Sequence, residues 1–373
     1  MTRVLILTAS YGSGHNEAAR SLAAAFARAG ADVRIVDHFR ELVHPLFERA
    51  TRALYVAMLR RAPLVWGMAY GLGDRLASDS PLTFGMTRVG TAALGRLLER
   101  EAPDAVVSVH ATPAAAMSRL AEWGGRRLPP HTTVVTDFVA HSQWIAPRIE
   151  RYCVAAEEVR GEFVARGIPR ERVIVTGVPV RAEFEAPVDA DAARAALGFS
   201  PRVPAVLAMA GSQGSLGRLP DVARALAGFR GRLQGLVVAG RDPALEARLR
   251  RLTDGTALRT LGYVADVRTL MAAADLLVTK AGGMTLAEAM AAETPLLLYG
   301  SLAGQERRNE RFASRAGIAL VARSRADLAG MLERALIDPD LLDALRERMR
   351  LHRCPDATRR IVGAVLGREV PRP

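Results

Sequence analysis

Short β-branched runs alternate with longer helical segments along almost the whole chain. RVLILTA (Arg3 to Ala9) is followed by the helix-like NEAARSLAAAFARAG, and then come DVRIVD, DAVVSV, TTVVTD, RYCVA and RVIVTG. Apolar runs of this length, separated by helical patterns, are what strands buried on both faces of a parallel sheet require. A second series starts at AVLAMAGSQG and continues through GLVVAG, LRTLGYV, DLLVT, PLLLYG and GIALVA. Between the two lies RAEFEAPVDADAARAALGFSPRVP, which mixes Pro and charge and contains no strand, so the boundary is expected near Pro187 to Val203. At 373 residues the chain is too long for one ordinary core. The predicted fold class is α/β with two Rossmann-like, doubly wound domains, 1–187 and 203–345, and a C-terminal helix and tail, 346–373, packing back on the first.

Half of the residues are apolar and 24% are charged, the profile of a globular protein. No apolar stretch is long enough to span a membrane, and the run in MTRVLILTASYGSGH is too short for a signal sequence, so a cytoplasmic protein is expected. Cys153 and Cys354 follow no metal or disulfide spacing. The net charge of +12 favours an anionic partner. No helix-turn-helix, ribonucleoprotein or zinc pattern accompanies it and aromatics are only 5% of residues, so nucleic acid is not expected. Arg49 to Leu76, with Tyr55, Trp66 and Tyr70 among Arg52, Arg60, Arg61 and Arg75, is the pattern of a basic helix in a membrane interface, or of an apolar face packed on its own domain.

In open α/β sheets ligands bind beyond the carboxyl ends of strands, so the loops there carry the chemistry. The first, TASYGSGHNEAA, opens a helix; Gly12 and Gly14 permit close backbone approach, and His15 is the best-placed candidate general base. A histidine at a helix start is also an ordinary capping or packing residue. The loop is neither a dinucleotide fingerprint, since Glu17 replaces the third glycine, nor a Walker A loop. The second, AGSQGSLGR, offers Gly211, Ser212, Gln213 and Gly214 to a phosphate, or is simply a Gly-rich connector. In the third, LLVTKAGGMTLAEAMA, Gly282 and Gly283 form a turn before a helix expected at Thr285 to Ala292, whose first turn suits a diphosphate. Glu288 then lies one turn on, where it reaches a ribose or completes a capping box with Thr285. Lys280 is the only lysine among 51 basic residues, beside two glycines where a compact ammonium fits better than a guanidinium fork. It is placed to meet a diphosphate or to pair with Glu306; drift in an arginine-biased composition is the plain alternative.

LVTKAGGMTLAEAMA and GQERRN, with YGSGHNEAA, TDFVAHSQWIAP and VTGVPVRAEF in this order, resemble glycosyltransferase family 28, in its diacylglycerol glycosyltransferase branch of monogalactosyldiacylglycerol synthases and processive diacylglycerol glucosyltransferases. The resemblance implies the GT-B fold, two Rossmann-like domains facing a central cleft, with an acceptor- and membrane-facing first domain and a UDP-sugar donor domain. It implies inverting transfer of a hexose from a UDP-sugar to diacylglycerol or a related lipid on the inner face of the cell membrane. By position, His15 becomes the base, with Asp137 and His141 on the acceptor-side element and His141 the alternative base. Gly211 to Gly214 and Gly282, Gly283, Met284 and Thr285 become diphosphate contacts and Glu288 the ribose ligand. Gln305 and Glu306 become the sugar readers, and the backbone near Tyr263 and Val264 the uracil site. Asp189 and Asp191 show metal-type spacing but lie in the linker, so no metal and no cofactor beyond the co-substrate are expected. Transfer of N-acetylglucosamine to another lipid-linked acceptor, or an inactive nucleotide-sugar sensor, are the competing readings.

Overall fold

The computed structural model describes residues 1–75, 89–123, 128–211 and 218–368, except for the side chains of Arg60, Pro63 and Arg75. It divides into two compact units, one of Met1–Ala182 with the segment from Cys354 onward, the other of Glu183–Arg353. Each is built on a six-stranded parallel sheet.

In the first unit β1 (Arg3–Thr8), β2 (Asp32–Asp37), β3 (Ala105–Ser108), β4 (His131–Val134), β5 (Arg151–Val154) and β6 (Val173–Val175) lie in the order β2-β1-β3-β4-β5-β6. In the second, β7 (Ala205–Met209), β8 (Gln234–Val238), β9 (Leu258–Leu261), β10 (Leu276–Thr279), β11 (Leu296–Tyr299) and β12 (Ala319–Ala322) lie in the order β12-β11-β10-β7-β8-β9. Strands such as AVVS and LLVT are buried along their whole length, because helices cover both sheet faces. Leu5, Leu7, Val36, Leu94 and Val106 centre one core, and Val206, Val237, Leu276, Leu297 and Leu328 the other. Each sheet reverses its winding once, between β1 and β3 and between β7 and β10. Such switch points open a crevice at the carboxyl ends of the strands, and the loops singled out above leave from these ends.

The segment expected to be a linker is part of the second unit. Asp189 caps the Ala190–Ala196 helix, and Arg194 pairs with Asp275 at 2.5 Å while donating to the Ala273 carbonyl. The chain returns to the first unit at Cys354. There Thr358 Oγ1 donates to the Val180 carbonyl at 2.7 Å, and Arg151 bonds the Ala364 carbonyl. Gly177 makes this crossing possible: its φ is +85°, and a Cβ would stand 2.8 Å from Cys354 Cβ and 2.9 Å from Ala357 Cβ. Gly177→Ala is expected to destabilise the first unit by about 1–3 kcal/mol, read as a lowered urea midpoint at unchanged slope. An unchanged midpoint would mean that the returning segment yields freely.

Helices Pro45–Arg61 and Pro63–Arg75 stand on the first unit with their aromatic residues turned inward. Trp66 meets Tyr55 edge to face at 5.0 Å, and the Tyr70 ring lies 4.1 Å from that of His141. The exposed face is aliphatic instead: Leu64 is 81% and Met68 76% exposed, with Leu46, Leu54, Val65 and Leu72 beside them. Of the two readings of this stretch, packing on its own domain holds for the rings of Tyr55, Trp66 and Tyr70, which are half-buried, while the exposed side chains are largely aliphatic. No described helix is long and apolar enough to cross a membrane.

Candidate active site

At the first switch point the chain leaves β1 and enters the Ser13–Arg28 helix through Gly12, an extended N-cap without a side-chain cap bond. Gly14 and His15 follow in the first helical turn. His15 Nδ1 lies 2.9 Å from the carbonyl oxygen of Val109, just beyond β3, and 3.0 Å from Thr136 Oγ1, just beyond β4. A carbonyl only accepts, so Nδ1 carries the proton and Nε2 keeps its lone pair. Burial pushes the imidazole below its usual pKa, and the Asp137 charge and the Val109 carbonyl offset this in part. The neighbouring His110 ring is 4.7 Å away, edge on. His110 Nδ1 accepts from the Thr112 N–H at 3.1 Å, and burial, then His15 and His38, hold it well below the usual imidazole range. A neutral second histidine therefore stands beside the first. The imidazole thus has a fixed tautomer, set by Val109 with Thr136 beside it and with His110 packed against the ring; none of the three was singled out from sequence.

His141 is placed differently from the alternative-base expectation. Its Nδ1 accepts from the Gln143 N–H at 3.1 Å, capping the Ser142–Trp144 turn, and its Nε2 donates to the Tyr70 carbonyl at 3.2 Å. Both ring nitrogens are engaged and the ring is buried, so in this arrangement His141 anchors a loop. Asp137, also buried, acts on His15 through its charge.

At the second switch point Gly211, two residues beyond β7, has φ +78°. Ser212, Gln213 and Gly214 lie outside the described residues. After β10, the Gly282 N–H donates to the Lys280 carbonyl at 2.9 Å, and Gly282 is the N-cap of a helix, Gly283–Ala292, with no side-chain cap bond. The helix thus starts two residues before the expected Thr285. Gly283, Met284 and Thr285 become its first turn, and the Thr285–Glu288 capping box is excluded. Its first amides are left for an outside acceptor, an arrangement that favours an anion. Glu288 is buried one turn further on.

Lys280 Nζ is paired with Glu306 Oε1, while Glu306 Oε2 accepts from the Leu302 N–H at 2.8 Å. A Cβ on Gly282 would stand 4.0 Å from Lys280 Nζ, and one on Gly211 4.0 Å from Lys280 Cε. The ammonium therefore lies between the two Gly-containing loops, with a carboxylate behind it. Glu306 is engaged in holding Lys280 and the loop before the Gln305–Arg315 helix, which leaves the partly exposed Gln305 as the freer of the two expected sugar readers. Asn309 Nδ2, fully buried, donates to the Ala281 carbonyl at 3.2 Å and fixes the same loop from below. After β9, Tyr263 is 49% exposed and carries the Arg241 guanidinium 3.6 Å from its ring centroid; Val264 is next to it and partly buried. Arg241 was not anticipated; its place just after β8 was the available signal.

The two doubly wound units are the GT-B architecture of nucleotide-sugar glycosyltransferases. MurG of Acinetobacter baumannii superposes with a TM-score of 0.66 at 16% identity, covering 98% of this chain and all of that one. The S. aureus MnaA–UDP structure gives 0.64 at 13% identity, covering 100% and 99%. The monogalactosyldiacylglycerol (MGDG) synthase family matches residues 15–180, and the group 1 glycosyl transferases match residues 215–338. A processive diacylglycerol beta-glucosyltransferase of Bacillus cereus is 32% identical over 367 residues, 98% of this chain and 93% of that protein, and one of Bacillus thuringiensis is 31% identical over the same shares. The chain belongs to the diacylglycerol glycosyltransferase family, and it is a glycosyltransferase of glycolipid synthesis.

Proposed function

We propose that this enzyme transfers a hexose, with inversion, from a UDP-sugar to diacylglycerol or a closely related lipid while seated on the inner face of the cell membrane. The observation that carries the mechanism is the fixed tautomer of His15. Its Nε2 takes the proton of the acceptor hydroxyl as the oxygen attacks the anomeric carbon from the side opposite the diphosphate. The glycosidic bond forms, the sugar–phosphate bond breaks, and UDP leaves with the electron pair. Lys280 and the free amides at Gly283, Met284 and Thr285 meet the growing charge on the diphosphate, so no resident metal is required. Glu288 takes the ribose hydroxyls, Tyr263 and Val264 the uracil, and Gln305 the sugar.

The aliphatic face of Pro45–Arg61 and Pro63–Arg75 supports the membrane seat. Side chains such as Leu64 and Met68 each return roughly 1.5–3 kcal/mol when fully buried, and the excess of base over acid adds attraction to anionic lipid.

The test is UDP release from UDP-glucose, UDP-galactose and UDP-N-acetylglucosamine in turn, with diacylglycerol in anionic vesicles and EDTA present. Lipid-dependent release with a hexose donor is expected. Leu64→Glu with Met68→Glu is expected to abolish co-sedimentation with these vesicles while UDP binding persists. Release without lipid, or with the N-acetylated donor alone, would overturn the assignment, and vesicle binding by the double variant would remove the membrane seat.

A further inference from the structure

The loop that carries His15 is tied to the same helices that expose the aliphatic face. Tyr11, four residues before His15, donates its hydroxyl to Thr51 Oγ1 at 2.5 Å. The direction is fixed, because Thr51 Oγ1 already donates to the Phe47 carbonyl at 2.6 Å within its own helix. The Tyr11 ring stands edge on to Phe39 at 4.9 Å and to Tyr55 at 6.0 Å, and lies 6.4 Å from His110, which in turn packs against His15. Below Tyr11 the loop is held separately. Ser10 bonds Asp37, Asn16 Nδ2 donates to Ser10 Oγ at 2.9 Å, and Thr8 Oγ1 donates to Asn16 Oδ1 at 2.9 Å.

The second acceptor-side loop is tied to the second helix in the same manner. Tyr70 offers its carbonyl to His141, and Asp74 Oδ1 accepts from the Ser142 N–H at 2.8 Å. Both loops beside His15 are therefore bonded to two helices that also hold Leu54, Leu64, Met68 and Leu72 exposed.

We infer that Tyr11 is a positioning residue that couples seating of the Pro45–Arg61 helix on the bilayer to the placement of His15. The inference rests on the membrane seat proposed above. When the aliphatic face enters lipid, the helix is held, and through Thr51 it holds the tip of the loop; the imidazole then meets the acceptor hydroxyl in a constant place. Free of lipid, the tip is held by a helix whose Leu46 and Leu54 are exposed.

The test compares kcat on diacylglycerol in anionic vesicles with kcat on a monomeric short-chain diacylglycerol, for Tyr11→Phe, Thr51→Val, Thr51→Ser and the Tyr11→Phe/Thr51→Val pair. Each of the first two is expected to lower the vesicle-to-monomer ratio by about tenfold, the value of one hydrogen bond. The pair should be no lower than either single change, since all three remove the same bond. Thr51→Ser, which keeps the hydroxyl, should retain the wild-type ratio, and the donor KM should not move in any of them. A wild-type ratio in Tyr11→Phe, or losses that multiply in the pair, would overturn the coupling. Failure of the membrane seat shows itself elsewhere, as vesicle co-sedimentation by the Leu64→Glu/Met68→Glu variant.

Discussion

His15→Ala is expected to lower kcat by about 10²–10⁴-fold, the contribution of a positioned general base, while the affinity for UDP stays within about twofold. The separation follows from the fold: His15 belongs to the first unit, and the residues assigned to the nucleotide belong to the second. The pH dependence has a definite sign. Nε2 accepts a proton only when the ring is neutral, and burial pushes the His15 pKa below 6.5, so the acid limb of kcat should fall below pH 6.5. Asp137 acts against burial, so Asp137→Asn should move this limb to lower pH. A limb that moves upward in Asp137→Asn, or full activity in His15→Ala, would remove the base assignment.

Lys280→Ala is expected to cost about 10²–10³-fold in kcat, the scale of losing one preorganised charge at a leaving group. Two effects combine. The ammonium no longer meets the diphosphate, and Glu306 is left as a largely buried carboxylate without its cation, held only by the Leu302 N–H. Lys280→Arg keeps the charge but needs space for a planar fork between Gly211 and Gly282, so it should recover less than about a tenth of the wild-type rate. Steady-state kinetics with a saturating lipid acceptor read both variants. An arginine variant within twofold of wild type would show that charge alone matters at this place.

The twelve strands of the described residues were readable because most are short runs of apolar, often β-branched residues between helical patterns, and all twelve occur where the runs quoted above stand. The pairing of Lys280 with Glu306 was readable too, as one of the alternatives that the position of the single lysine offered, and the two side chains are paired. What sequence could not show is which group each polar atom meets. His141 and His15 are both histidines in loops after strands, and only the Tyr70 carbonyl, 71 positions away, and the Val109 carbonyl, 94 positions away, separate an anchored ring from one with a free nitrogen. The start of the Gly283–Ala292 helix was misread because Thr285 followed by Glu288 has the pattern of a capping box. Two glycines ahead of them permit the helix to begin earlier without any side-chain cap. Packing of Tyr55, Trp66 and Tyr70 on the domain was one of two readings that the sequence left open, since a helix of mixed basic, aromatic and aliphatic residues does not declare which apolar side chains find partners.

The Lys280–Glu306 pair makes the chemistry of the proposed donor site unusual in one further respect. Every other positive side chain counted in the net charge of +12 is a guanidinium, so Lys280 is the one side-chain primary amine in 373 residues. Acylation, reductive methylation or any other amine-directed chemistry thus has a single side-chain address, and it lies at the switch point between β7 and β10. A proteome-wide change in lysine acylation would reach this enzyme only there, and only while the Glu306 carboxylate lets the amine go.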